Sequence, residues 1–251
     1  MDRWEKERRR AEALRLREHC GYFSHLGWSL FAMIVAMTAA QMVLRLWAQL
    51  SSPELMNSGA FLGLLSVGSM YGVGMPVLCG FFRRLPAPPV TRGRPLGPAR
   101  FVQVYLIALA GLYLSNYVTL GITWLIGQLR GSPVANPVET MTGYPAALNV
   151  LLGCVIAPVC EELAFRRLLL DRLRPYGDRF AVCVSALCFG LFHGNLSQML
   201  YAFTVGLVLG YVALRTGRIW QAMLLHAMVN AVSVVLIPLT EQVDALTGTA
   251  V

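Results

Sequence analysis

Charge is the scarcest commodity in this sequence. Only 14% of its 251 residues are Asp, Glu, Lys or Arg, whereas a soluble domain averages about a quarter. That shortage excludes an ordinary water-soluble globule. With 56% hydrophobic residues and a mean hydropathy of +0.58, the chain reads as an integral membrane protein, and its length suits one bundle of six to eight helices. No CxxC occurs among the six cysteines, and five of them (Cys79, Cys154, Cys160, Cys183 and Cys188) lie in apolar runs. This argues against a disulfide framework or a cysteine zinc site and for small buried hydrophobes. There is no HExxH, no alternating strand pattern, no internal repeat and, outside one proline-rich loop, no low-complexity tract. No small-residue cleavage site closes the first apolar run, so the charged opening segment is not read as a cleaved signal.

Where charge does occur, it is mostly basic. The net charge of +8 raises nucleic acid as a partner, but the placement of the charges argues against it. Nineteen of the 21 Lys and Arg fall in four short segments, residues 1–25, 83–100, 166–179 and 215–218. These segments separate apolar runs, which is the positive-inside pattern of a multi-pass protein with its N-terminus in the cytoplasm. The partner implied for them is the lipid bilayer, through its anionic headgroups.

Turn and breaker residues divide the chain. Residues 1–25 form a basic cytoplasmic segment, with 1–20 a surface helix. Three spans follow within 26–145: residues 26–48, ended by Ser51-Ser52-Pro53; the glycine-rich 58–82, with Pro76 inside; and 101–127. Between the second and third spans lies the basic loop 83–100, carrying Pro86, Pro88, Pro89, Pro95 and Pro98. Residues 128–145 read as an outer loop. Residues 146–240 hold four more spans, at 146–173, 180–193, 198–214 and 219–239. The expected fold is all-α: a polytopic bundle of about seven transmembrane helices, with a polar cavity open toward the cytoplasmic side.

A few polar residues lie inside these spans. Glu161 and Glu162 sit in the fourth, where a charge at bilayer depth costs a few kcal/mol or more and marks a polar cavity. Adjacent helical residues point about 100° apart, so the two carboxylates look in different directions. Glu162 and Arg166 are i and i+4 and able to pair. Glu161 has no local cation, which leaves one glutamate tied and one free, a start for an acid/base site. His193 ends the run Phe189-Gly190-Leu191-Phe192-His193, and His226 shares a helix face with Asn230. Counted from the cytoplasmic ends of their spans, His226 lies about 10 Å deep, Asn230 about 16 Å, His193 about 20 Å and Glu161 about 15–20 Å. All four are therefore able to meet in one cavity. His19 and His25, in or near the basic segment, are read as incidental. Cys160 beside Glu161 is a weak alternative nucleophile, since nothing local marks it as activated.

Three of these patterns occur in order on three hydrophobic segments: Glu161-Glu162-x-x-x-Arg166, Phe189-x-x-x-His193 and His226-x-x-x-Asn230. Together they closely resemble the signature motifs of the CPBP (Abi) family of CAAX-processing and bacteriocin-processing intramembrane proteases. The resemblance covers about residues 146–235, and the first 100 residues carry none of it. It implies an endopeptidase, a peptide hydrolase of type II CAAX processing, acting on membrane-associated proteins or peptides near the cytoplasmic face. Its catalytic set is implied to be Glu161, His193, His226 and Asn230; the lack of an HExxH and the presence of Asn230, a poor zinc ligand, favour a reading without a cofactor. The residue types suit that chemistry. A carboxylate beside a histidine deprotonates water, and an imidazole and an amide on one face donate to an oxyanion. Glu161 is then the base, His193 its partner on the water, and His226 and Asn230 the oxyanion donors. Glu162 and Arg166 support the site.

Other readings use the same residues. Glu161, His193 and His226 resemble a catalytic zinc set, although Asn230 suits hydrogen bonding better than coordination. A polar path among glycine-rich helices also fits an ion or proton transporter, and the family includes non-proteolytic immunity or scaffold roles. Substrate identity and oligomeric state are not written in the sequence.

Overall fold

The computed structural model describes residues 3–86, 88–89, 92–134 and 146–236. The end of the expected outer loop, residues 135–145, and the last three residues of the expected final span, 237–239, lie outside the described residues, as do residues 87, 90 and 91 of the proline-rich loop. The protein is all-α, with no strand among the described residues. Its helices are α1 (Arg3–Ser51), α2 (Gly59–Phe82), α3 (Pro98–Arg130), α4 (Ala146–Tyr176), α5 (Asp178–Phe192), α6 (Leu196–Thr216) and α7 (Ile219–Leu236).

Six of these are long and apolar enough to cross a membrane: α1, α2, α3, α4, α6 and α7. The fifth expected span, residues 180–193, falls in α5, which has only 15 residues. At 1.5 Å per residue that is about 22 Å, short of a hydrocarbon core about 30 Å thick. The expected separation of a surface helix at 1–20 from the first span is also not found. α1 runs unbroken for 49 residues, because Gly21 and Gly27 cost only about 1 kcal/mol each in a helix and no proline intervenes.

The chain forms two compact units, residues 1–56 with 64–86 and residues 57–63 with 87–251. In the first, α1 packs on α2 where Gly74 lets Met33 and Met37 approach, and the His25 ring meets the Phe81 carbonyl at 3.1 Å. The second holds α3 to α7. Its apolar core joins Ala108 of α3 to Val205, Leu209 and Val212 of α6 and to Ala222, Leu225 and Val229 of α7. Small residues set the spacing, as bilayer packing favours. A Cβ on Gly190 would lie 2.7 Å from the Met199 carbonyl oxygen, so α5 and α6 touch backbone to backbone. The proline-rich segment is tied down on this unit: the buried Gln221 amide donates to the Leu96 carbonyl at 3.1 Å and accepts from the Leu96 N–H at 3.0 Å.

Two helices change pitch just ahead of an internal proline. The Met75 N–H reaches back five residues to Met70 before Pro76, and the Ala157 N–H reaches Leu152 before Pro158. A proline ring clashes with the carbonyl four residues earlier, and a π turn relieves the clash.

Candidate active site

The site is built on α4. Its central stretch, Ala157–Glu162, is α-helical and flanked by the π segments Leu151–Ile156 and Leu163–Leu170. Such segments recur at functional sites because they re-aim side chains. Glu161 is 3% exposed, Glu162 0% and Arg166 1%, so three ionisable groups lie inside the unit within six residues. Burial without partners would be prohibitive.

Arg166 supplies the first partner. Its Nε lies 3.2 Å from Glu162 Oε2, one helical turn away as the spacing predicts. The same guanidinium donates from Nη2 to the Gly206 carbonyl of α6 at 3.4 Å and sits over the Phe189 ring, 4.4 Å from its centroid. A desolvated cation over an aromatic face is worth about 2 kcal/mol or more.

The second partner comes from α7. His226, 4% exposed, places Nδ1 3.0 Å from Glu162 Oε1 and Nε2 3.8 Å from Glu161 Oε2. The imidazole thus stands between the two carboxylates, in a line that runs Arg166, Glu162, His226, Glu161. Glu161 thus meets an imidazole that arrives from another helix.

His193 occupies the turn after α5. Gly194 adopts a left-handed conformation (φ 67°), and Asn195 caps α6 by accepting from the Gln198 N–H at 2.9 Å while donating to the His193 carbonyl at 2.8 Å. These bonds fix where the chain reverses. His193 Nδ1 lies 2.9 Å from the Phe189 carbonyl, which makes Nδ1 the donor and leaves Nε2 as the acceptor. Phe189, 2% exposed, links the two histidines. Its ring meets His193 edge-on at 5.1 Å and His226 at 5.6 Å, both at 89°.

Asn230 follows His226 by one turn, and its Nδ2 donates to the Gly153 carbonyl of α4 at 2.8 Å. One amide N–H is therefore committed to the backbone, and the second N–H and Oδ1 remain for other partners. The structure thus joins Glu161, Glu162, Arg166 and His226 directly, attaches His193 through Phe189, and clamps Asn230 against α4. Sequence reasoning gave no role to Phe189, Gly153 or Gly206. The signals were present but slight: Phe189 stands inside the His193 motif, and Pro158 interrupts an apolar helix three residues before Glu161.

His226 has a carboxylate against each nitrogen, and Asn230 turns its amide onto a backbone carbonyl. Among the described residues, no three His, Cys, Asp or Glu side chains are arranged to hold an ion.

The family model of the Rce1-like group, type II CAAX prenyl endopeptidases, matches residues 143–232. That segment contains every residue of the cluster just described. Over residues 143–232 the chain is similar to that family. The chain is also 28% identical over 90 residues to the "Putative membrane peptidase YdiL" of Bacillus subtilis (strain 168), a match covering 36% of this chain and 37% of that one. It therefore spans little more than a third of the curated relative's length. No solved structure matches it. The family segment begins just before α4 and ends in α7, so α1, α2 and α3 lie outside it.

Proposed function

We propose that this multi-pass membrane protein is an intramembrane endopeptidase of the CAAX-processing type. It hydrolyses peptide bonds of membrane-associated proteins or peptides in a cavity open toward the cytoplasmic side. One observation carries the reading: two carboxylates, a guanidinium and an imidazole share a buried cluster inside apolar helices, at a cost that packing alone does not repay.

Glu161 acts as general base on a water that His193 also holds through Nε2. Glu162 takes a part beyond support. It accepts the Nδ1–H of His226, and a ring that then donates from Nε2 carries both protons. In that state two carboxylates face one guanidinium and one imidazolium, and the buried cluster is neutral. His226 Nε2–H and the second N–H of Asn230 donate to the oxyanion of the tetrahedral intermediate. Glu161 then passes the water's proton to the leaving amine, and His226 returns to its place between the carboxylates. No step uses a metal.

Incubating purified protein with a library of apolar peptides in liposomes tests the proposal, with new termini read by mass spectrometry. Cleavage at defined bonds by the wild type, and none by Glu161→Ala, is the expected result. An intact library with folded wild-type protein contradicts it.

A further inference from the structure

We infer that Pro158 is a positioning residue that aims Asn230, by leaving the Gly153 carbonyl without a donor on its own helix. The inference rests on the reading of Asn230 as an oxyanion donor and adds to it how the amide is held.

The argument starts from the hydrogen-bond ladder of α4. Over Leu151–Ile156 the register is π, and the Ala157 N–H donates to the Leu152 carbonyl, five residues back. The next donor in that register is residue 158, and its acceptor is the carbonyl of Gly153. Residue 158 is a proline and has no N–H to give. A carbonyl inside an apolar helix is costly to leave without a donor, so it draws one from elsewhere. The donor comes instead from α7, where Asn230 Nδ2 lies 2.8 Å from Gly153 O.

The contact needs close approach of the two helices. A Cβ on Gly153 would sit 3.0 Å from a methyl carbon of Val234. A larger residue at 153 would push α7 away, so glycine and proline act together, one admitting the partner helix and the other freeing the acceptor.

The consequence is orientational. A carboxamide is planar, so fixing one of its N–H bonds fixes the direction of the other. Asn230 follows His226 by one turn on the same face of α7, and a fixed amide holds its second N–H in one direction relative to that helix. Pro158 touches no reacting atom. It acts through Gly153 and Asn230, three residues before Glu161 on the same helix.

The test compares two replacements at one position. Pro158→Ala supplies an N–H that competes for the Gly153 carbonyl and releases Asn230. Replacing Pro158 with lactic acid, the α-hydroxy analogue of alanine, removes the ring but supplies no N–H. For Pro158→Ala, kcat should fall about tenfold to a hundredfold while KM holds within about threefold, approaching the loss of one oxyanion donor. The ester analogue should keep kcat within about threefold of wild type. A second readout needs no turnover: in protein labelled with 15N-asparagine, the Asn230 side-chain resonance should move in Pro158→Ala and stay in place in the ester. This arm stands even if the chain proves not to be a peptidase. If Pro158→Ala does not fold, the ester alone decides: retained activity and an unmoved resonance support the inference, and loss of either overturns it. Equal loss in both variants, or an unmoved resonance in Pro158→Ala, also overturns it.

Discussion

Removing Arg166 should cost more stability than any other single change at the site. Its guanidinium is 1% exposed, pairs with Glu162 at 3.2 Å, bonds the Gly206 carbonyl and covers the face of Phe189. In Arg166→Ala, Glu162 keeps only His226 against its charge. Breaking a buried pair by removing one partner costs about 3–5 kcal/mol, because the remaining charge is stranded. For a chain of this size a kcal/mol moves the melting temperature by about 2–4 °C, so a detergent melt should fall by roughly 6–20 °C. The double variant Glu162→Gln/Arg166→Ala strands no charge and should recover a large part of the loss, which makes the coupling between the two positions measurable as a cycle. The assay is thermal unfolding of purified protein followed by helix content, with folded yield as a check. The reasoning fails if Arg166→Ala melts with the wild type, or if the double variant is no more stable than the single one.

Further expectations concern chemistry and topology. Glu161→Gln should abolish nearly all cleavage at an unchanged melting temperature. Glu162→Gln should lower it by about tenfold to a hundredfold through misplacement of His226, and the reverse ranking in a peptide-cleavage assay would overturn the assigned roles. Dialysis against a strong chelator should leave turnover unchanged; loss restored by stoichiometric zinc and absent in His193→Ala would replace the glutamate mechanism with a metal one. If α5 crosses the membrane in spite of its length, seven spans place the N-terminus inside and the C-terminus outside. A reporter fused at Val251 and probed with external protease reads this directly, and a protected reporter means that α5 does not cross.

Local features of the site are legible in sequence, and its long-range contacts are not. Helical spacing alone pairs Glu162 with Arg166 and puts His226 and Asn230 on one face, because both relations span four residues of one helix. The meeting of His226 with Glu162 joins residues 64 apart, and that of Asn230 with Gly153 joins residues 77 apart. Nothing in either segment encodes the register between α4 and α7, which depends on helix packing at Gly153 and on the π segments of α4. Hydropathy finds the apolar runs but not their continuity: α1 carries a charged half and an apolar half in one helix. It also counts residues 180–193 as a span on composition, whereas the glycine turn at 194 ends the helix early and sets His193 at its tip.

The central claim is that Glu161 activates a water that attacks the peptide bond directly. A single-turnover reaction in 18O-labelled water tests it, with enzyme in excess over a defined peptide substrate. The account predicts that wild-type protein places one labelled oxygen in the new carboxyl terminus, that the protein itself carries neither label nor acyl adduct, and that Glu161→Gln yields no product. Label recovered in the Glu161 side chain, or an acyl adduct trapped on Glu161 or on the neighbouring Cys160, would show a covalent route and contradict it.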